Sequence, residues 1–178
     1  LFEATLTSHK KLKPYQLAVT HHGGQSQLYE DPYAFAPTLS DFDAHLMAEG
    51  THLHVYERLG AHVVESQGVR GVRFAVWAPN AQRVSVVGLF NQWDGRRHPM
   101  CFHPTNGIWE LFIPGLGEGT LYKYEIKTHY QNYIVTKADP VGFASEMRPK
   151  NASVVWDINK HQWHCLLYTS DAADERSS

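Results

Sequence analysis

The sequence predicts an all-β chain: an antiparallel β-sandwich, preceded by a short helical linker and by the last strands of a similar, truncated sandwich. Three observations predict it. Short runs alternate side chains of two kinds, as in Val72-Arg73-Phe74-Ala75-Val76-Trp77, and a period of two marks a half-buried strand. Turn signals such as Pro79-Asn80 and Pro114-Gly115-Leu116-Gly117-Glu118-Gly119 follow those runs closely, which suits hairpins rather than strand–helix–strand units. The chain also repeats itself. Pro14-Tyr15-Gln16-Leu17-Ala18-Val19 leads to Asp31-Pro32-Tyr33-Ala34-Phe35-Ala36, and Tyr122-Lys123-Tyr124-Glu125-Ile126 leads to Asp139-Pro140-Val141-Gly142-Phe143-Ala144. The two Asp-Pro pairs are separated by about 100 residues, the size of one sandwich.

Taken in order, residues 1–37 read as the C-terminal part of the first sandwich, with edges left unpaired. Residues 38–60 read as a helical linker. Ser40 can cap the N-terminus, Asp41 and Asp43 suit the positive end of the helix dipole, and Gly50 supplies a left-handed stop. Tyr56-Glu57-Arg58-Leu59-Gly60-Ala61-His62 opens the second sandwich, residues 61–158. Its strands include Arg83-Val84-Ser85-Val86-Val87, Trp109-Glu110-Leu111-Phe112-Ile113 and Tyr122-Lys123-Tyr124-Glu125-Ile126. Val72, Phe74 and Val76 share one face of their strand, with Arg73, Ala75 and Trp77 on the other. Trp77, Trp109 and Trp156 are expected in the core or at an interface.

The 178 residues carry 16 basic and 18 acidic side chains, so neither nucleic acid nor an anionic membrane surface is implied as a partner. No apolar run is long enough to span a bilayer. The chain starts without Met or a signal-peptide pattern. Residues 165–178 resemble the in-frame translation of a transposon-end sequencing adapter and are expected to be a scar. Setting them aside leaves equal numbers of basic and acidic groups and a single Cys101, which permits no intrachain disulfide and suits a reducing cytoplasm.

Catalytic chemistry finds little support. A glycosidase needs two carboxylates about 5–10 Å apart, and candidates such as Glu110 and Glu125 alternate along strands as solvated outer-face residues would. No nucleophile elbow or phosphate loop is present. The pair His52-x-His54 lacks further metal ligands nearby, so no metal and no cofactor is implied. His98 and His103 flank a Trp-bearing loop and suit packing roles better than ligand contacts. A sugar site fares better. Pyranose C–H faces stack on aromatic rings and sugar hydroxyls want amides and cations. Trp93 offers a plane, Asn91 an amide, Lys123 a donor one strand away and Tyr133 a second plane. The residues alone leave open whether Trp93 stacks on sugar or packs against a neighbouring surface.

The run Phe90-Asn91-Gln92-Trp93-Asp94-Gly95-Arg96-Arg97-His98-Pro99-Met100 resembles the N-terminal module of 1,4-α-glucan (glycogen) branching enzymes. Glu49-Gly50-Thr51-His52-Leu53, Leu59-Gly60-Ala61-His62, Gly107-Ile108-Trp109-Glu110-Leu111-Phe112-Ile113-Pro114 and Leu121-Tyr122-Lys123-Tyr124-Glu125 match as well. Phe74-Ala75-Val76-Trp77-Ala78-Pro79-Asn80-Ala81 is shared more widely with debranching and trehalose-releasing relatives. The resemblance, from about Tyr15 to Trp163, implies an immunoglobulin-like glycogen-binding module over 61–158. It also implies a connection at 159–164 to a catalytic (β/α)8 barrel outside this chain, whose Asp nucleophile and Glu acid/base form α-1,6 branches. No catalytic residue carries over. Trp93, Lys123 and Tyr133 map onto sugar contacts, although related modules often carry Trp where this chain has Tyr133. The alternatives are a stand-alone glycogen-binding or regulatory module and a structural spacer, including one of a related debranching or trehalose-releasing enzyme.

Overall fold

A computed structural model describes residues 15–20 and 22–160 of the chain. The adapter-like tail and the connection beyond Lys160 lie outside the described residues, as do residues 1–14.

The first strands are β1 (Gln16–Thr20) and β2 (Ser26–Glu30), which pair antiparallel as a hairpin. Leu17, Val19, Leu28 and Tyr29 on this hairpin are exposed. The linker helix α1 (Asp41–Glu49) follows as expected: the Ser40 hydroxyl accepts the Asp43 N–H at 3.1 Å, and Gly50 closes the helix at φ 73°. The sandwich comprises β3 (Gly60–Ser66), β4 (Val69–Trp77), β5 (Ala81–Gly88), β6 (Cys101–His103), β7 (Ile108–Pro114), β8 (Leu121–Thr128), β9 (Ile134–Lys137), β10 (Ala144–Ser145) and β11 (Ser153–Val154). One sheet runs β3-β4-β7-β6; the other runs β10-β11-β8-β5, with β9 also on β8, and every pairing is antiparallel. The fold is an immunoglobulin-like β-sandwich.

The core lies between the sheets. Val72, Phe74 and Val76 of β4 meet Val84 and Val86 of β5 and Tyr122 and Tyr124 of β8, with Trp109, Leu111 and Ile113 from β7. Phe74 and Tyr122 pack edge-on at 4.9 Å between centroids, a geometry that adds to simple burial. Trp109 is core and donates its indole N–H to the Ala78 carbonyl, whereas Trp77 and Trp156 are exposed among the described residues.

Part of the outer face of the β3-β4-β7-β6 sheet is covered, because the segment around Thr38 and Leu39 lies across it. Glu110, expected to be solvated, is only 4% exposed. Its carboxylate accepts the Thr38 N–H at 2.9 Å, the Thr38 hydroxyl at 2.7 Å and the Leu39 N–H at 3.4 Å, and it pairs with His103 at 3.1 Å. Buried Arg73 donates to the Thr38 hydroxyl and to the Glu57 carbonyl. Glu125 lies on the opposite sheet, partly covered and paired with Arg83 at 2.5 Å. The two carboxylates stand on different sheets and flank no common site. Alternation reveals two faces of a strand but not a third layer laid over one of them, so sequence places Glu110 in solvent and the fold does not.

The sequence repeat has a structural counterpart. In the sandwich, Asp139 accepts the Tyr122 hydroxyl at 2.6 Å and the Val141 N–H at 2.8 Å. In the hairpin, Asp31 accepts the Tyr15 hydroxyl at 2.5 Å and the Tyr33 N–H at 2.9 Å. The same tyrosine-to-aspartate clasp therefore occurs in both copies.

The linker also carries a buried acid. Burial raises the Asp43 carboxyl, but hydrogen bonds from Ser40, His52 and Arg58 outweigh it and hold it at about 2, below the ordinary 3.8. A carboxyl depressed by folding contributes stability above its unfolded value and loses it as pH falls through the folded one. Urea denaturation between pH 4 and pH 2 should therefore lose stability less steeply in Asp43→Asn than in the parent chain; equal slopes would remove Asp43 from the acid response.

Candidate functional site

The Trp93 loop is built onto the outer face of β5. After Gly88 the chain folds back: Gln92 N–H donates to the Leu89 carbonyl at 3.2 Å, Trp93 N–H to Gly88 at 2.8 Å and Asp94 N–H to Asn91 at 3.2 Å. This tight nest forces Gln92 to φ 60° and Trp93 to φ 59°, the left-handed region that costs non-glycine residues about 1 kcal/mol or more each. The chain then runs alongside β5, with Val86 N–H on the His98 carbonyl at 3.1 Å and Met100 N–H on Val84 at 2.8 Å. At β6 it crosses to the other sheet, so the loop is tied at both ends.

Asn91 holds this loop together. It is fully buried. Its Oδ1 accepts the Gly88 N–H at 2.9 Å, while its Nδ2 donates to the Val86 carbonyl at 2.8 Å and lies 3.0 Å from His98 Nδ1. Burial, and then the Arg97 charge, lowers the His98 pKa, which suits a neutral ring accepting from the amide. Both polar atoms of the Asn91 amide are thus engaged by the backbone and His98.

The outward groups differ. Trp93 is 39% exposed, enough ring to stack upon. Asp94 is braced by Arg96 through Nε at 2.9 Å and Nη2 at 2.8 Å, and these bonds hold its carboxyl well below the usual range. Gly95 passes so close to the sheet that a Cβ there would collide with the Glu125 carboxylate, so a side chain there would require that carboxylate, paired with Arg83, or the loop to shift. Lys123 sits opposite Val87 on β8, one strand in from the loop, and donates to Asn151 Oδ1 at 2.5 Å. Asn151 carries no sequence signal of its own. It reaches the face only because β11, two residues long, pairs with β8, and so short a strand leaves no alternation to read.

Tyr133 does not join them. Its carbonyl accepts the Thr128 N–H at 2.9 Å, which puts it five residues along β8 from Lys123, about 16 Å at the usual strand rise. It also shares the register parity of Ile126 rather than that of Lys123. The β9 residue opposite Glu125 is Thr136. The cause is the long turn before β9, where Gln131 and Asn132 both adopt positive φ. His103 lies on the other sheet against Glu110, and His52 and His54 bond to different acids, Asp43 and Glu57.

The described residues thus form a two-sheet antiparallel sandwich with a partly exposed Trp93 on the loop after β5. Residues 58–142 match carbohydrate-binding module 48, the isoamylase N-terminal domain. Over a longer span the chain is similar to 1,4-α-glucan branching enzymes. It is 55% identical over 149 residues to GlgB of Rubrobacter xylanophilus, covering 84% of this chain and 20% of that protein. It is 56% identical over 154 residues to GlgB of Thermosynechococcus vestitus, covering 86% and 20%. The chain thus spans about a fifth of the length of these relatives. Among solved structures, a maltotriose complex of PulA from Klebsiella pneumoniae aligns with 63% of this chain and 12% of that one, at a TM-score of 0.48 and 25% identity. No described helix is long and apolar enough to cross a membrane.

Proposed function

We propose that the chain is the N-terminal glucan-binding region of a cytoplasmic 1,4-α-glucan branching enzyme, holding α-glucan on the face formed by Trp93, Lys123 and Asn151. The observation that carries the sugar-binding part is the strained placement of Trp93. A bulky residue at φ 59° beside a second non-glycine residue at φ 60° is costly, and such strain gathers where a side chain must be presented. Lys123 and Asn151 then supply a donor and an amide at its flank. Bond cleavage and α-1,6 transfer fall to a (β/α)8 barrel of the same polypeptide, and this region by itself is non-catalytic. The tyrosine-to-aspartate clasp shared by Asp31 and Asp139 supports reading the β1–β2 hairpin as the end of a preceding sandwich, with residues 38–60 as the linker.

Trp93→Ala tests the reading. Stacking worth on the order of 1 kcal/mol corresponds to roughly a five- to tenfold loss of affinity for maltoheptaose by calorimetry, with the far-ultraviolet spectrum unchanged. Unaltered affinity in a folded variant would leave the module as a spacer for the barrel.

A further inference from the structure

A second cavity, of about 360 Å³, lies between the end of α1 and the outer face of the β4–β7 pair. Met47, Val55, Leu59 and Ile108 make its apolar wall, and Trp77 stands at its mouth with 62% of its surface exposed. Two polar side chains also line it, and each has one buried atom without a hydrogen-bond partner among the described residues: His52 Nδ1 and Asn106 Nδ2.

The roles of these atoms follow from their other bonds. The His52 side chain is 9% exposed, and its Nε2 lies 3.1 Å from Asp43 Oδ1. The tautomer in which Nε2 donates to that carboxylate leaves Nδ1 as an acceptor. Asn106 Oδ1 accepts the Ile108 N–H at 3.1 Å, so the amide orientation is set and Nδ2 is a donor. The pocket thus combines an apolar wall, an exposed indole, one spare acceptor and one spare donor. Neighbouring hydroxyls of a pyranose, each both donor and acceptor, match such a pair, and its C–H face matches the indole. A purely apolar occupant would leave both polar atoms unpaired, and no charged group with a free valence lines the cavity to favour an ion. Both atoms have almost no solvent exposure, so a ligand reaches them only after a neighbouring side chain shifts.

We propose that this cavity is a second glucan subsite, on the opposite face of the sandwich from Trp93, binding one or two glucose units with Trp77 as platform and His52 and Asn106 as hydroxyl partners. It rests on the glucan-binding reading above. The test is maltotetraose titrated into the 178-residue chain, followed by calorimetry and by the indole N–H signals of ¹⁵N-labelled protein. In a Trp93→Ala background, the Trp77 indole should shift and residual affinity should remain. Trp77→Ala should then lower that affinity about tenfold. Asn106→Asp, which keeps the acceptor for Ile108 but removes the donor, should lower it at least threefold, with the Trp109 core signal unmoved to certify the fold. A silent Trp77 indole, with both substitutions neutral while Trp93-dependent binding persists, overturns the second subsite alone. Absence of maltotetraose binding in the parent chain overturns both readings.

Discussion

Asp139→Ala is expected to cost about 3–5 kcal/mol of stability. The carboxylate is buried, and its Oδ2 accepts both the Tyr122 hydroxyl at 2.6 Å and the Tyr124 hydroxyl at 3.2 Å, while Oδ1 accepts the Val141 N–H. Both phenols have almost no exposure. Alanine would strand two buried hydroxyls and a backbone N–H, each costing about 1–3 kcal/mol when left unpaired. The backbone bond from residue 139 N–H to the Ser153 hydroxyl would remain, so the loss is confined to the carboxylate's own partners. Urea unfolding should show the midpoint falling steeply with little change in slope; a loss below about 1 kcal/mol would mean that water or a neighbour takes over the phenols. The pH response should oppose that of Asp43. Burial lifts the Asp139 carboxyl above 3.8 against the pull of its hydrogen bonds, so its contribution is greatest in acid and declines as pH rises through the raised value.

Asn91→Ala should damage both stability and binding, and that combination separates it from Trp93→Ala. Losing the amide leaves the Gly88 N–H and the Val86 carbonyl without their partner, which costs about 2–4 kcal/mol. Nothing then compensates the left-handed strain at Gln92 and Trp93, and the loop should relax toward ordinary backbone angles. Maltoheptaose affinity should fall as far as in Trp93→Ala, but thermal unfolding should fall with it. Trp93→Ala removes a ring that is 39% exposed and should leave the melting temperature close to that of the parent. If Asn91→Ala keeps full stability, the amide is not what holds the loop.

These two residues also show where sequence reading succeeds and where it stops. Alternation in Val72-Arg73-Phe74-Ala75-Val76 locates a strand and its core side, and Ser40 and Gly50 locate both ends of α1, because those signals are local. The pairing of Lys123 with Val87 is legible for the same reason: a strand, a turn and a facing strand suffice. Asn91 misleads because an amide in a loop has the same chemistry whether it points at a ligand or at its own backbone. Only the fold-back of that loop onto β5 decides between them. Tyr133 misleads because a long turn carries no register, and Asn151 escapes notice because its neighbouring strand is too short to alternate. Glu110 and Arg73 look like surface charges until the linker is laid over them, and nothing within β4 or β7 announces that layer.

That layer has a consequence for chain length. Thr38 relays between Arg73 and Glu110, its hydroxyl accepting from the guanidinium and donating to the carboxylate, while the Thr38 and Leu39 N–H groups complete the carboxylate's set. Two residues later Ser40 begins the cap of α1, whose Asp43 is tied in turn to His52 and Arg58. Both ends of this short span are thus fastened to buried charges, and a buried charge without its partner is among the most expensive defects a fold can carry. The linker is therefore a ruler rather than a tether. One residue more or fewer between Thr38 and Asp43 cannot be taken up as slack, and whatever precedes the linker stands at a distance from the sandwich that is counted in residues.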